Sequence, residues 1–484
     1  MECSRRSKVV LMASESSTRP NRIHLRPSEQ RAILFIGDVI VTIIAMVIAL
    51  YYWSYLDAQF EFTILYVLDR AAWFFFLPFG WLILLVDLYD VHRAANWRET
   101  FRGISVAAIV GFLVYAVIYL LSPKGSLPRQ AVGAFLASAA FLTLIWRLLY
   151  IRLYTDPAFM RRVLIIGAGN AGRTLVNEYR GLWPPPFFLV GLIDDDPEKI
   201  ETSVEGYPIL AKSDKLLEII EEQGISDLIV AINGEIQGDT FQKLLDAQEN
   251  GIEITRMQTL YEELLGRVPI QHLESDWIIR SFVDETRMHG IYEVGKRLLD
   301  ISGALVGVML FVFFFPLIAL MILIDNGFPI FYRQVRLGRG AKPYTIIKFR
   351  TMRKDAESDG KAIPASKNDP RITRAGSFLR RTRLDELPQF LNVMRGDMSI
   401  VGPRSERPEL VEKYQKQVPF YRARLLVKPG ITGWAQINFG YVSTVEDTII
   451  KLEYDLYYIK HRGLGTDISI MLRTIGTVLG FRGR

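Results

Sequence analysis

The chain has 484 residues, half of them hydrophobic, and a formal net charge of +6. That length accommodates about three domains, and so high an apolar share argues against a purely soluble protein and for membrane segments joined to globular parts. The single cysteine, Cys3, excludes an intrachain disulfide, a zinc–thiolate site and thiol catalysis, and fits a reducing compartment. Lys and Arg occur in clusters, which suits phosphate ligands or anionic lipid headgroups better than nucleic acid.

Residues 1–30 are polar and Arg-rich, lack a cleavable-signal pattern, and read as a cytosolic tail. Four apolar segments follow at 31–53, 66–88, 102–121 and 131–151, each near the ~20 residues that cross a bilayer as a helix. The loop Ser54–Leu65 carries Asp57 and Glu61 but no Lys or Arg. Arg93, Arg98 and Arg102 follow the second segment, and Arg152, Arg161 and Arg162 the fourth. The positive-inside rule then places both ends of a four-helix unit, residues 31–154, in the cytosol; Lys124 and Arg129 run mildly against it. Asp38, Asp69 and Asp87 are expected as helix-end or inter-helix partners rather than as a polar pathway.

Arg162–Gly172 reads as a buried strand, then a G-x-G-x-x-G turn at Gly167, Gly169 and Gly172, then a helix. Such a turn lets a phosphate approach backbone N–H groups. A second strand, Phe188–Ile193, ends at Asp194-Asp195-Asp196, with Asp194 near the spacing of an acidic ribose ligand. Helix Ser213–Gln223 and strand Asp227–Ile232 continue the alternation. An α/β Rossmann-like domain is predicted over 155–290. A lone fingerprint leaves open whether it binds NAD, UDP, another nucleotide or none, and serves assembly or regulation instead.

From Tyr292 the chain runs into an apolar stretch, Ile301–Ile324, interrupted by Pro316. A fifth span would carry the rest of the chain outside. Arg333, Arg336, Arg339, Lys342, Lys348, Arg350, Arg353 and Lys354 beyond it argue for the cytosolic side. Because Pro316 removes a helix hydrogen bond, a re-entrant helix–break–helix is predicted over 291–325. Residues 326–484 then form a mainly α (α+β) domain of short strands, turns and amphipathic helices. Within it Asp385 and Glu386 sit on a predicted helix, about 375–394, bent at Pro388, among Arg380, Arg381, Arg383, Arg395, Arg404 and Arg407. An acidic pair in so basic a setting suits a metal-assisted attack on a phosphate; the alternative is an exposed helix of mixed charge.

Five blocks, Phe331–Gly338, Tyr344–Met352, Arg380–Glu409, Val427–Asn438 and Leu452–Ile459, follow the Pro-broken helix in an order that resembles the bacterial sugar transferases. These are monotopic phosphoglycosyl transferases that move a sugar-1-phosphate from a nucleotide sugar to undecaprenyl phosphate. The four N-terminal spans and the Rossmann-like domain resemble the larger members, which start exopolysaccharide or O-antigen repeat units at the inner membrane. The resemblance implies Asp385 as nucleophile on a UDP-sugar, with UMP released and an aspartyl-phosphosugar passed to undecaprenyl phosphate. It implies Mg²⁺ at the Asp385–Glu386 pair, with Glu386 as metal ligand or proton handler. Arg404 and Arg407 are expected on the donor phosphates, and Arg336 and Arg350 on phosphate near the membrane. Gln436 is expected at the uridine, and Asp455 on metal or orienting an Arg. Ser405 stands where the family usually has Pro. A hexose donor and a homodimer through the membrane unit or middle domain are compatible with the sequence; a nucleic-acid partner is not expected. Two rivals remain: a nucleotide-sugar oxidoreductase or dehydratase, for which Tyr292 and Lys296 fit a Tyr-x-x-x-Lys pattern, and an inactive scaffold of a polysaccharide export complex.

Overall fold

A computed structural model describes residues 27–479 apart from 57–71, 90–93, 122–128, 155–159, 184, 235, 237, 274–288, 355, 357–368 and 441–443. The basic tail with Cys3, together with Asp57, Glu61, Asp69, Arg93 and Lys124, lies outside the described residues, as does the side chain of Asp87. The chain divides into two compact units, Met1–Leu264 and Leu265–Arg484.

Three long apolar helices of the first unit, Pro27–Leu56, Trp97–Leu121 and Arg129–Tyr154, are long and apolar enough to cross a membrane. The predicted second span differs. Its described part is broken into a 3₁₀ turn Ala72–Phe76, an eight-residue helix Leu77–Leu84 with Pro78 in its first turn, and a further 3₁₀ turn Val86–Tyr89. Proline suits a first turn because its missing N–H is not needed there. Gly37 lets the first and third long helices approach, since a Cβ there would overlap the Trp146 indole. Asp38 is an inter-helix partner, as expected. It pairs with Arg147, both side chains fully buried, and Arg147 also donates to the Leu88 carbonyl at 2.8 Å. Replacing Arg147 with leucine strands a buried carboxylate and is expected to cost about 3–5 kcal/mol. Thermal unfolding in detergent would report this as a lowered midpoint, partly restored when Asp38→Asn is added.

The α/β part of this unit is an open sheet of strands β1 Arg162–Ile166, β2 Phe188–Ile193, β3 Ser203–Val204, β4 Tyr207–Ala211, β5 Asp227–Val230 and β6 Glu253–Arg256. Their order is β3-β4-β2-β1-β5-β6. All pairings are parallel except the β3–β4 hairpin. β1 and β5 are buried along their apolar runs, as strands covered on both faces must be. The chain reverses direction across the sheet at β1, so the glycine turn stands at the switch point of the fold.

In the second unit, residues 265–273 depart from the predicted boundary at 290. Val268 and Ile270 are buried in this unit's core, Arg267 pairs with Glu453 at 3.3 Å, and Trp434 donates to the Gly266 carbonyl at 2.7 Å. These contacts draw the segment into the C-terminal unit. The helix His289–Asn326 is continuous across Pro316 rather than interrupted there. One side of it packs on the domain along its length. Asp300 accepts from Ser399 Oγ and Ile400 N at 2.8 and 2.9 Å. Arg297 donates to the Val393 and Met394 carbonyls. Phe315 stacks on Phe331, and Phe331 on Phe349. Ile318 and Ile322 are buried with Leu379 and Leu387. The other side exposes Leu305, Met309, Val312, Phe313, Leu317, Leu320 and Ile324. Strands β7 Phe331–Leu337 and β8 Pro343–Phe349 form an antiparallel hairpin; β9 Ser399–Val401 and β10 Gly430–Thr432 form a short parallel pair.

Candidate active site

The acidic pair is not inside a helix. Helix Arg374–Thr382 ends because Arg383 adopts a left-handed conformation (φ 57°, ψ 15°). Asp385 and Glu386 then lie on a 3₁₀ turn, Leu384–Glu386, and Pro388 caps the next helix, Gln389–Arg395. In a 3₁₀ turn successive side chains diverge by about 120°. The neighbours therefore face different surroundings: Glu386 is buried and Asp385 half-buried.

Glu386 is wrapped by cations. Its Oε1 accepts from Lys348 Nζ at 2.8 Å and from Arg404 at 3.2 Å, and its Oε2 faces Arg383 at 3.5 Å. Burial pulls its carboxyl up, but Lys348, Arg404 and Arg383 outweigh burial and hold it well below the usual carboxylate range. The Asp385 carboxylate accepts no hydrogen bond from the described residues. Burial and the Glu386 charge push it up to about 6, against Lys348, Arg380 and Arg404. Arg380 is steadied by its own bond to Thr351 Oγ1 at 2.9 Å. The outcome is one carboxylate fixed as an anion within a cationic cage, and one that takes up a proton more readily than an ordinary carboxylate, with its lone pairs open.

The cage rests on a second charged layer. Arg424, buried, donates to the backbone carbonyl of Arg404 at 2.9 Å, to Asp455 at 2.8 Å, to Glu406 at 3.4 Å and to the Tyr421 hydroxyl at 2.9 Å. Glu406 also meets Lys451 at 2.6 Å and Arg336 at 3.9 Å. Burial raises the Glu406 carboxyl, but Lys451 and Arg424 carry it down to about 2. Of the two roles open for Asp455, the geometry is that of orienting an arginine. Arg424→Met strands Asp455 and Glu406 and is expected to cost about 3–5 kcal/mol. Thermal unfolding across pH checks the sign. The Glu406 contribution in the wild type is complete above its ordinary value of 4.5 and is lost as pH falls through about 2.

The other expected residues are spread. Arg336 lies behind the 402–406 loop, donating to the Ser405 carbonyl at 3.1 Å. Arg407 stands at the N-cap of helix Pro408–Tyr414. Gln436 Nε2 donates to the Ile431 carbonyl at 3.1 Å, and its Oε1 is buried without a partner among the described residues. Arg350 is buried, with its guanidinium on the carbonyls of Asn326 and Gly327, groups left over at the end of the long apolar helix. It is not brought to the dyad. Sequence reasoning passed over Lys348, Arg424, Glu406 and Lys451 as site residues. For Lys348 a signal existed: in Tyr344-Thr-Ile-Ile-Lys-Phe it alternates onto the face of buried Ile346, an inward position for a charge. Tyr292 and Lys296, the pattern behind the oxidoreductase rival, both meet Asp467, at 3.1 and 3.0 Å, as struts of this unit.

In the α/β part, Gly167 takes φ +103° and a Cβ at Gly172 would overlap the Gly167 carbonyl, whereas Gly169 opens on free space. Asp194 is already engaged, accepting from Ala168 N at 2.7 Å, Asp196 N at 3.0 Å and Lys199 Nζ at 3.1 Å. A nucleotide ribose would have to share it with Lys199.

A family profile described as "Bacterial sugar transferase" matches residues 291–481, and one described as "CoA-binding domain" matches residues 85–250. The chain belongs to the bacterial sugar transferase family. Among its relatives, the UDP-glucose:undecaprenyl-phosphate glucose-1-phosphate transferase of Xanthomonas campestris pv. campestris is 34% identical over 425 residues, covering 82% of this chain and 84% of that one. The UDP-N-acetylgalactosamine-undecaprenyl-phosphate N-acetylgalactosaminephosphotransferase of Aeromonas hydrophila is 39% identical over 234 residues, 48% of this chain and 54% of that one. The UDP-glucose:undecaprenyl-phosphate glucose-1-phosphate transferase of Escherichia coli (strain K12) is 42% identical over 193 residues, 40% of this chain and 41% of that one. The chain thus spans about half the length of the latter two relatives and most of the first.

Proposed function

We propose that this chain transfers a sugar-1-phosphate from a UDP-sugar to undecaprenyl phosphate, the first membrane step in building a polysaccharide repeat unit. The observation that carries the reading is the division within the dyad: Glu386 caged by Lys348, Arg404 and Arg383, and Asp385 beside it with open lone pairs. An Asp385 oxygen attacks the sugar-bearing phosphorus, forming a P–O bond to the carboxylate. The phosphoanhydride bond to UMP breaks, and UMP leaves with the electron pair. A phosphate oxygen of undecaprenyl phosphate then attacks the same phosphorus, forming the diphosphate product and releasing the carboxylate. Splitting one transfer into two in this way gives ping-pong kinetics. Lys348, Arg404 and Arg380 stabilise charge on the transferring phosphoryl group.

A magnesium ion fits this donor set in one arrangement. Among the described residues no cluster of three or more His, Cys, Asp or Glu exists, but Mg²⁺ is commonly held by one or two carboxylates plus substrate phosphates. Asp385 offers free oxygens for it; Glu386 would join only by releasing its cations. When bound, the ion would neutralise the donor diphosphate.

The long apolar helix supports a leaflet-embedded reading. Its exposed stripe from Leu305 to Ile324 spans about 30 Å, as much as a hydrocarbon core, while the globular domain covers the opposite side throughout. A helix crossing the bilayer would carry that domain into hydrocarbon. We therefore infer that it lies along one leaflet of the inner membrane, with the dyad on the cytosolic face, where a soluble donor and a lipid acceptor meet. Purified protein given a panel of UDP-sugars, Mg²⁺ and undecaprenyl phosphate should release UMP with one or a few of them. No release with any donor would contradict the proposal.

A further inference from the structure

The C-terminal end of the long apolar helix opens on a basic cleft that the transfer chemistry does not use. It has a volume of about 630 Å³ and is lined by Asp325, Asn326, Arg353, Lys354, Thr373 and Arg374, among others. Arg353, Lys354 and Arg374 are exposed, and their side chains form no ion pair among the described residues. The other polar groups have partners. Asp325 accepts from Ala375 N at 2.9 Å, Asn326 donates to the Met352 carbonyl at 2.8 Å, and Thr373 caps its helix through Gly376 N. Among the described residues, three cations thus line the cleft with one carboxylate.

Apolar side chains flank the cleft. Ile324 and Phe328, 78% and 72% exposed, continue the lipid-facing stripe to the helix end. On helix Arg374–Thr382, exposed Arg374, Phe378 and Arg381 follow one another at spacings of four and three, so they share a face. An aromatic ring between two guanidinium groups, beside the end of an apolar stripe, is the chemistry of a membrane–water interface. The dyad lies beyond the other end of this helix, about 13 Å along its axis, so the cleft is a separate place from the reacting phosphorus.

We propose that this cleft binds the phosphodiester headgroup of an anionic phospholipid of the phosphatidylglycerol type, and so holds the helix end at headgroup depth. The inference rests on the leaflet-embedded reading above. Arg353 and Arg374 engage phosphate oxygens as planar forks, Lys354 adds a point charge, and Phe328 and Phe378 sit among the upper acyl carbons.

The test uses the full-length protein in a neutral maltoside micelle, titrated by calorimetry with short-chain phosphatidylglycerol, short-chain phosphatidylcholine and inorganic phosphate. Phosphatidylglycerol is expected to bind at least about tenfold more tightly than phosphatidylcholine, given three basic groups near the headgroup. The triple variant Arg353→Ala, Lys354→Ala, Arg374→Ala loses that preference, and the charge-keeping pair Arg353→Lys, Arg374→Lys retains most of it. Equal binding of the two lipids, or a preference surviving in the triple alanine variant, would overturn the proposal. So would inorganic phosphate competing as well as the lipid, which would assign the cleft to a free anion. UMP release by the triple variant in the same micelle should match the wild type. A wild type that prefers phosphatidylglycerol yet releases no UMP would overturn the transferase reading and still support the cleft.

Discussion

Asp385→Asn is expected to lower UMP release from the preferred UDP-sugar by about 10⁴-fold or more, the scale on which a covalent nucleophile is lost. The amide keeps the shape of the carboxylate and the turn Leu384–Glu386 that presents it. It cannot form the acyl phosphate. Glu386 does not replace it, because its oxygens are committed to Lys348, Arg404 and Arg383 and it is buried. Donor binding, measured by equilibrium titration with the UDP-sugar in the absence of Mg²⁺, should change little, since Lys348, Arg404 and Arg380 are untouched. A large loss of rate with nearly constant affinity is the signature of a group that acts in the transition state.

Lys348→Met is expected to cost about 10²–10³-fold in kcat, comparable to removing one preorganised charge-stabilising donor, and to move the acid limb of the pH profile. The sign follows from the geometry. Asp385 must be ionised to attack, so kcat/KM rises with pH through about 6 in the wild type. Removing the Lys348 charge takes away a cation that favours ionisation of both carboxyls, so the limb moves to higher pH. Glu386→Gln removes the neighbouring negative charge that raises Asp385, so its limb moves to lower pH. Opposite displacements in the two variants are expected. A limb that stays in place in both would mean that the profile reports some other group.

Much of this site was readable as residue types, less as geometry. The adjacent carboxylates among arginines stood out as a pair suited to phosphate chemistry, an exposed helix of mixed charge being the other reading, and the block order supplied the family. The turn itself was not readable. Arg-Thr-Arg-Leu-Asp-Glu consists largely of good helix formers, and the left-handed break at Arg383 goes with one local pair, Arg383 to Glu386, and one long-range pair, Lys348 to Glu386, of which the second pairing has no trace in the sequence. Arg424 gave no signal, since its partners Asp455 and Glu406 are far from it in sequence and its backbone acceptor belongs to Arg404. In the membrane unit, Asp38 could be read as needing a partner, but not that the partner is Arg147, 109 residues away. Pro316 was expected to break its helix; dense packing of Phe311, Phe315, Ile318 and Ile322 on the domain spans that point. The boundary at 290 fell too late because Val268 and Ile270 are ordinary apolar residues in the sequence and core residues only in the fold.

The α/β domain was legible as a fold for the reason that it follows local rules: apolar strands, a glycine turn and amphipathic helices. Its ligand was not, and Asp194 illustrates why. The residue sits where the fingerprint places it, yet its oxygens serve Ala168, Asp196 and Lys199, a commitment that no spacing rule reveals.

The measurement closest to the centre of this account is mass spectrometry of the protein digested after brief exposure to the UDP-sugar without undecaprenyl phosphate. A peptide containing Asp385 should carry the added mass of one phosphosugar, lose it when undecaprenyl phosphate is supplied, and never gain it in Asp385→Asn. UMP release with no modified peptide, or with the added mass on any other residue, would contradict the assignment of Asp385 as the nucleophile.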